Sequence, residues 1–126
     1  MAKIVDDSVL DGALNIIKNN ATQICVCSTQ PTTYTEAITT YMLAKKSTLT
    51  SGDYTVADDA VSPYGRKVTV AQQSTISVTN GGSAQHVALC GAAATLYYVT
   101  TCTAQTLVSG NTVTIPAWKI QIGDPT

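Results

Sequence analysis

The sequence predicts a mainly β protein, a small antiparallel β-sandwich or barrel carrying one N-terminal amphipathic α-helix. Three observations predict it. Between Arg66 and Ile122, short runs alternate apolar with hydroxylated residues at period two. Glycine- and asparagine-marked turns separate those runs. Only one stretch, near the N-terminus, repeats its apolar residues with the 3.6-residue period of a helix. At 126 residues the chain suits one domain, 1–126, with a helix at about 7–19, a long polar loop at about 45–65 and a β-rich core at about 66–122.

The helix rests on Leu10, Ala13, Leu14 and Ile17, spaced i, i+3, i+4, i+7, with Val9 and Ile16 widening the stripe. Asp6, Asp7 or Ser8 can cap its start, Asp11 suits the positive end of the dipole, and Lys18 suits the negative end. Asn19-Asn20 is the expected stop. Such a stripe packs on the protein's own sheet or on a neighbouring subunit, and the first is the ordinary behaviour. A strand follows at Thr22–Ser28, broken by Gln30-Pro31-Thr32-Thr33 because proline cannot donate to a ladder. Tyr34–Ala44 is ambiguous: Glu36-Ala37 suits a helical turn, whereas Thr39-Thr40-Tyr41-Met42-Leu43 suits a strand. The segment 45–65 contains Ser51-Gly52, Asp58-Asp59 and Ser62-Pro63-Tyr64-Gly65 and reads as loop.

In the β half, Val68 and Val70 share one face, and Ile76 and Val78 another. Asn80-Gly81-Gly82 marks a turn. Ala84–Cys90 is apolar on both faces, the mark of a central strand. Thr95–Cys102 is the next strand, and Ser109-Gly110-Asn111 turns the chain into Thr112–Ile115. The last run contains a parity change. Val113 and Ile115 are odd-numbered, but Trp118, Ile120 and Ile122 are even. One period-2 strand cannot hold both sets on one face, so Pro116-Ala117 is predicted to be a bulge or bend.

Composition narrows the function classes. Thr and Ser supply about a quarter of the residues, charged residues only 12%, and the net charge is −1; the pI is near 5.5 and the mean hydropathy +0.13. The seven scattered Lys and Arg form no footprint for nucleic acid. No apolar run approaches the roughly 20 residues of a membrane span. Met-Ala-Lys-Ile-Val-Asp-Asp does not read as a signal peptide, so a reducing cytosol is the expected site of synthesis. In that compartment Cys25, Cys27, Cys90 and Cys102 are expected as free thiols. Cys25-Val26-Cys27 also lacks the usual spacing of a zinc ligand pair.

Candidate chemical groups are few. His86 is the only side chain suited to proton transfer near neutral pH. Along an extended strand it lies about 13 Å from Cys90, at roughly 3.3 Å per residue, too far for a nucleophile–base pair, which would need a long-range partner such as Cys25 or Cys27. Asp53, Asp58 and Asp59 gather beside Tyr54, without the spacing of a calcium loop. Tyr97, Tyr98 and Trp118 suit either the core or stacking on a sugar. No set of catalytic, cofactor-binding or metal-binding residues emerges, and no enzyme is expected.

The order of segments carries one resemblance. Asp11-Gly-Ala-Leu-Asn-Ile-Ile precedes Ile24-Cys-Val-Cys-Ser and Gln30-Pro-Thr-Thr-Tyr. Gly65-Arg-Lys-Val-Thr-Val, Gly82-Ser-Ala-Gln-His-Val-Ala-Leu, Leu107-Val-Ser-Gly-Asn-Thr and Ile120-Gln-Ile-Gly-Asp-Pro follow. The series resembles small virion structural proteins of tailed double-stranded-DNA bacteriophages. The resemblance implies a non-enzymatic head decoration (cement) protein on the capsid surface, bound to the major capsid protein or other virion proteins, and a homo-oligomer, with a trimer the natural guess. It implies no cofactor. A neck, tail or head-fibre component is the alternative within that class. Outside it stand a β-sandwich module binding a glycan through Tyr54, Tyr64 or Trp118, and an enzyme built on His86 and a cysteine.

Overall fold

The computed structural model describes residues 3–62 and 64–125. The protein is mainly β, with antiparallel sheets and one N-terminal α-helix, the arrangement of a small sandwich. Helix α1 spans Asp7–Asn20. Nine strands follow: β1 Ala21–Cys27, β2 Met42–Lys46, β3 Tyr54–Asp58, β4 Arg66–Val70, β5 Gln73–Ser77, β6 Gly82–Gly91, β7 Thr95–Leu107, β8 Thr112–Ile115 and β9 Trp118–Ile122. Their sheet orders are β2-β1-β6-β7, β3-β4-β9 and β5-β8.

Asp6 is the helix cap: its backbone is extended, and its carboxylate accepts the Ser8 N–H at 2.8 Å. Leu10 and Leu14 are buried and Ile17 half-buried, where α1 lies across β3 and β4. The residues that widen the stripe stay outside, Val9 at 65% and Ile16 at 53% exposure. Asp11 acts as a tether. Arg66, at the start of β4, donates to both of its carboxylate oxygens, at 2.8 and 3.1 Å, and to Asp58 at 2.8 Å.

Two cores flank the four-stranded sheet. Ile24 and Val26 of β1, with Val87 and Leu89 of β6, face the larger one, shared with Leu14, Tyr54, Val68, Val70 and Ile120. Residues of opposite parity, Cys25, Cys27, Ala88 and Cys90, face a second core. It is closed by the segment around Tyr34, Ala37, Ile38 and Tyr41. Strand β6 is interior, as its two apolar faces predict.

The predicted loop at about 45–65 is corrected by the structure. Its start belongs to β2, Ser51–Asp53 is a 3₁₀ turn, and Tyr54–Asp58 is strand β3 paired along β4. Flanking aspartates mask a period-2 run whose first residue is a core member. Tyr54 is buried and its hydroxyl donates to the Ala21 carbonyl at 2.7 Å. The loop proper from β3 to β4 is short, and Pro63 of its Ser62-Pro63-Tyr64-Gly65 turn lies outside the described residues. Tyr34–Ala44 resolves into both of its readings in succession, a turn of π-helix at Glu36–Thr40 and then β2. The parity change is sharper than a bulge. At Pro116-Ala117 the chain leaves the sheet of β5 and β8 and enters that of β4 and β9.

Candidate functional site

The chemistry-bearing residues are dispersed into separate structural contacts. Asp53 accepts the Thr50 N–H at 2.8 Å and the Gln73 amide at 3.2 Å, and Lys46 caps that Gln73 at 2.8 Å. Asp58 holds Arg66. Asp59 is buried, accepting the Lys119 ammonium at 2.6 Å and the Val61 N–H at 2.9 Å. Each carboxylate is therefore committed to a different partner. Among the described residues no three His, Cys, Asp or Glu side chains group as a metal would need.

Lys119 first, and then the Val61 N–H, hold the Asp59 carboxyl below the usual carboxylate range. A depressed native value means that the stabilisation is complete above the unfolded value of about 3.9 and is lost as pH falls through the native value. Thermal melting at neutral pH and below about pH 4 should therefore show Asp59→Asn less stable at neutral pH and less sensitive to acid. An unchanged acid limb in the variant would remove Asp59 from the acid response.

Strand register brings His86 and Cys27 together. They are direct cross-strand partners on β6 and β1, and Thr101 of β7 lies on the other side of His86. The pair lacks the activation that nucleophilic chemistry needs. The Cys27 thiol donates to the Ala37 carbonyl at 3.5 Å, and burial pushes it up to about 12. Among the described residues His86 Nδ1 is buried without a hydrogen-bond partner. The neighbouring Cys25 thiol is raised by its hydrogen bond to Cys90 and by burial. All four cysteines are free, with Cys25, Cys27 and Cys90 buried and Cys102 half-buried. Under native conditions a thiol-titrating disulfide reagent should read Cys102 at most, and all four after denaturation. Fast labelling of every thiol in folded protein would contradict the second core.

The three aromatic residues named for a glycan site, Tyr54, Tyr64 and Trp118, do not converge. Tyr54 is in the core, Tyr64 sits exposed on the β3–β4 loop at φ 60°, and Trp118 opens β9. Trp118 instead packs on Tyr98, ring centroids 5.9 Å apart. It lines a cleft of about 480 Å³ at the open side of the sandwich, between β7 and the β8–β9 junction. Val26, Ala84 and Val87 contribute to the cleft from the inner face, and Thr100, Cys102 and Thr103 from β7. Among the described residues the Trp118 indole N–H has no partner.

Both irregular strand segments of this region meet the cleft. Pro116-Ala117 lines it, and so does a bulge of β7, where Cys102–Ala104 stand opposite Gln85 alone. Lys119, whose ammonium is engaged by Asp59, is the one charged residue in the lining of the cleft. No Asp, Glu, Lys or Arg occurs from Val68 to Trp118, a run that takes in β5 to β8 entirely. That signal is plain in the sequence; the composition total conceals it by averaging over a charged first half.

Fold and site together define a class: a small antiparallel β-sandwich with a charge-free stretch from Val68 to Trp118 and a cleft beside Trp118. Compared with family models, curated proteins and solved structures, the chain matches none.

Proposed function

We propose that this chain is a structural protein of a bacteriophage virion, a decoration protein that binds the assembled capsid shell and braces the major capsid protein. The order of segments that resembles small phage head proteins suggests the particle. The charge-free half, from Val68 to Trp118, is the observation that carries the binding role. Interface centres are depleted in Lys, Glu and Asp, whose desolvation is costly, and a threonine-rich sheet offers hydroxyls and methyls without that cost. Stable association would cover about 1,200–2,000 Å² in total. A repeated shell favours a symmetric homo-oligomer as the binding unit, because closed symmetry matches the axes of the shell.

Quantitative mass spectrometry of purified particles tests this reading. A decoration protein is expected at a copy number comparable with that of the major capsid protein. A few copies per particle would overturn cementing and move the chain to the neck, tail or a head fibre; absence from particles would overturn the virion role altogether.

A further inference from the structure

The four-stranded sheet has two edges in unlike states. The β2 edge is covered: Thr79 and Asn80 donate backbone N–H groups to the Leu43 carbonyl at 2.8 and 3.1 Å. The Asn80 amide reaches the Met42 carbonyl at 3.0 Å, and Ala44 bridges Val78. The β7 edge is open. Among the described residues, the backbone of Thr95–Leu107 bonds only to β6. Proteins ordinarily blunt such an edge with lysines, prolines or very short strands. Strand β7 has 13 residues and contains neither a charge nor a proline, its two bulges being the only blunting present. The other edges are short or defended, and β5, five residues long, lies against β2. Strand β8 is four residues long and stops at Pro116, β9 carries Lys119, and β3 ends on Asp58 and runs under α1.

We infer that a second copy of this chain covers the β7 edge, pairing β7 with β7 antiparallel about a twofold axis. Three points select that occupant. Head-to-tail pairing of β7 with β2 is blocked, because β2 is already covered. Isologous pairing consumes the open edge and stops growth at two copies, whereas a heterologous contact would leave another edge open. Finally, an uncharged edge meets its own copy without opposing like charges, the repulsion that ordinarily prevents such pairing. The bulges at Tyr97 and Cys102–Ala104 interrupt the regular ladder and so limit the register. The incoming strand extends the sheet across the mouth of the sandwich, where its inward side chains cover the cleft beside Trp118.

The contact is small. Seven residues from Thr95 to Thr101 span roughly 23 Å and, in a sheet about 10 Å thick, bury on the order of 200–300 Å² per copy before the cleft is added. Specific interfaces start near about 1,200 Å² in total, so the dimer is weak, with a dissociation constant of about 10 μM to 1 mM. This contact is twofold by construction and independent of any contact made elsewhere on the chain.

Trp118 is the only tryptophan and lines the cleft, so it reports the pairing directly. Sedimentation equilibrium from about 1 μM to 1 mM should show the mass rising from 13.1 kDa towards twice that value. Acrylamide quenching of Trp118 should fall in parallel. Replacing two exposed edge threonines, Thr95→Lys with Thr101→Lys, should abolish both changes while leaving thermal melting intact. Val9→Lys with Ile16→Lys, on the exposed face of α1, should leave both in place. A mass that stays at 13.1 kDa throughout overturns the inference. So does self-association that survives the β7 lysines, that is lost with the helix lysines, or that leaves Trp118 quenching unchanged.

Discussion

Leu89→Ala is expected to cost about 2–5 kcal/mol, a large share of the 5–15 kcal/mol that holds a domain folded. Leu89 lies in the C-terminal part of β6, is fully buried, and has Ile24 of β1 and Tyr98 of β7 as its cross-strand partners. Truncation removes contacts in the larger core, and two paired strands limit how far the backbone can collapse into the space. Urea denaturation should show a lower midpoint with an unchanged slope. A loss under about 1 kcal/mol would mean that the region repacks and that the register of β1, β6 and β7 is loose.

Gly65→Ala should be of comparable size, for a different reason. Gly65 has φ +82°, a conformation costing an L-residue about 1–2 kcal/mol. An added Cβ would also collide with the Ile122 carbonyl oxygen and lie 2.9 Å from the Asp124 nitrogen, both backbone atoms that cannot rotate aside. The β3–β4 loop must then move away from β9. That motion breaks the pair of bonds from the Gln121 amide to the Val61 and Tyr64 carbonyls, each 2.8 Å. A loss of about 2 kcal/mol or more in melting experiments, with faster amide exchange around 59–66, is the expected result. Gly12→Ala provides the opposite sign. No atom lies within 4 Å of the added methyl, and an exposed helical Gly→Ala change gains about 0.5–1 kcal/mol. Equal effects at Gly65 and Gly12 would refute the steric account.

The elements legible in the sequence are those written into near neighbours. Leu10, Leu14 and Ile17 announce the buried side of α1, Ala84–Cys90 announces an interior strand, and the parity of Val113 and Ile115 against Trp118 and Ile120 announces the break at Pro116-Ala117. Strand β3 was hidden for the same local reason: Asp53, Asp58 and Asp59 give its window the polarity of a loop, although Asp58 and Asp59 pair with Arg66 and Lys119 and Asp53 is hydrogen-bonded to Thr50 and Gln73. Val9 and Ile16 belong to the same apolar stripe as Leu14, and only the placement of α1 across β3 and β4 leaves them outside.

The amino-acid sequence by itself determined the β class, the N-terminal helix, the central strand, the change of direction at Pro116-Ala117 and the charge-free half. Each is a matter of periodicity, turn chemistry or composition, carried by residues adjacent along the chain. Only the tertiary structure decided which edge stays open, where the cleft lies, and that His86 stands beside Cys27 while Asp59 goes to Lys119. Those outcomes depend on register between strands tens of residues apart. A slip of one residue would reverse every face, and only the simultaneous packing of both cores selects the register that is seen.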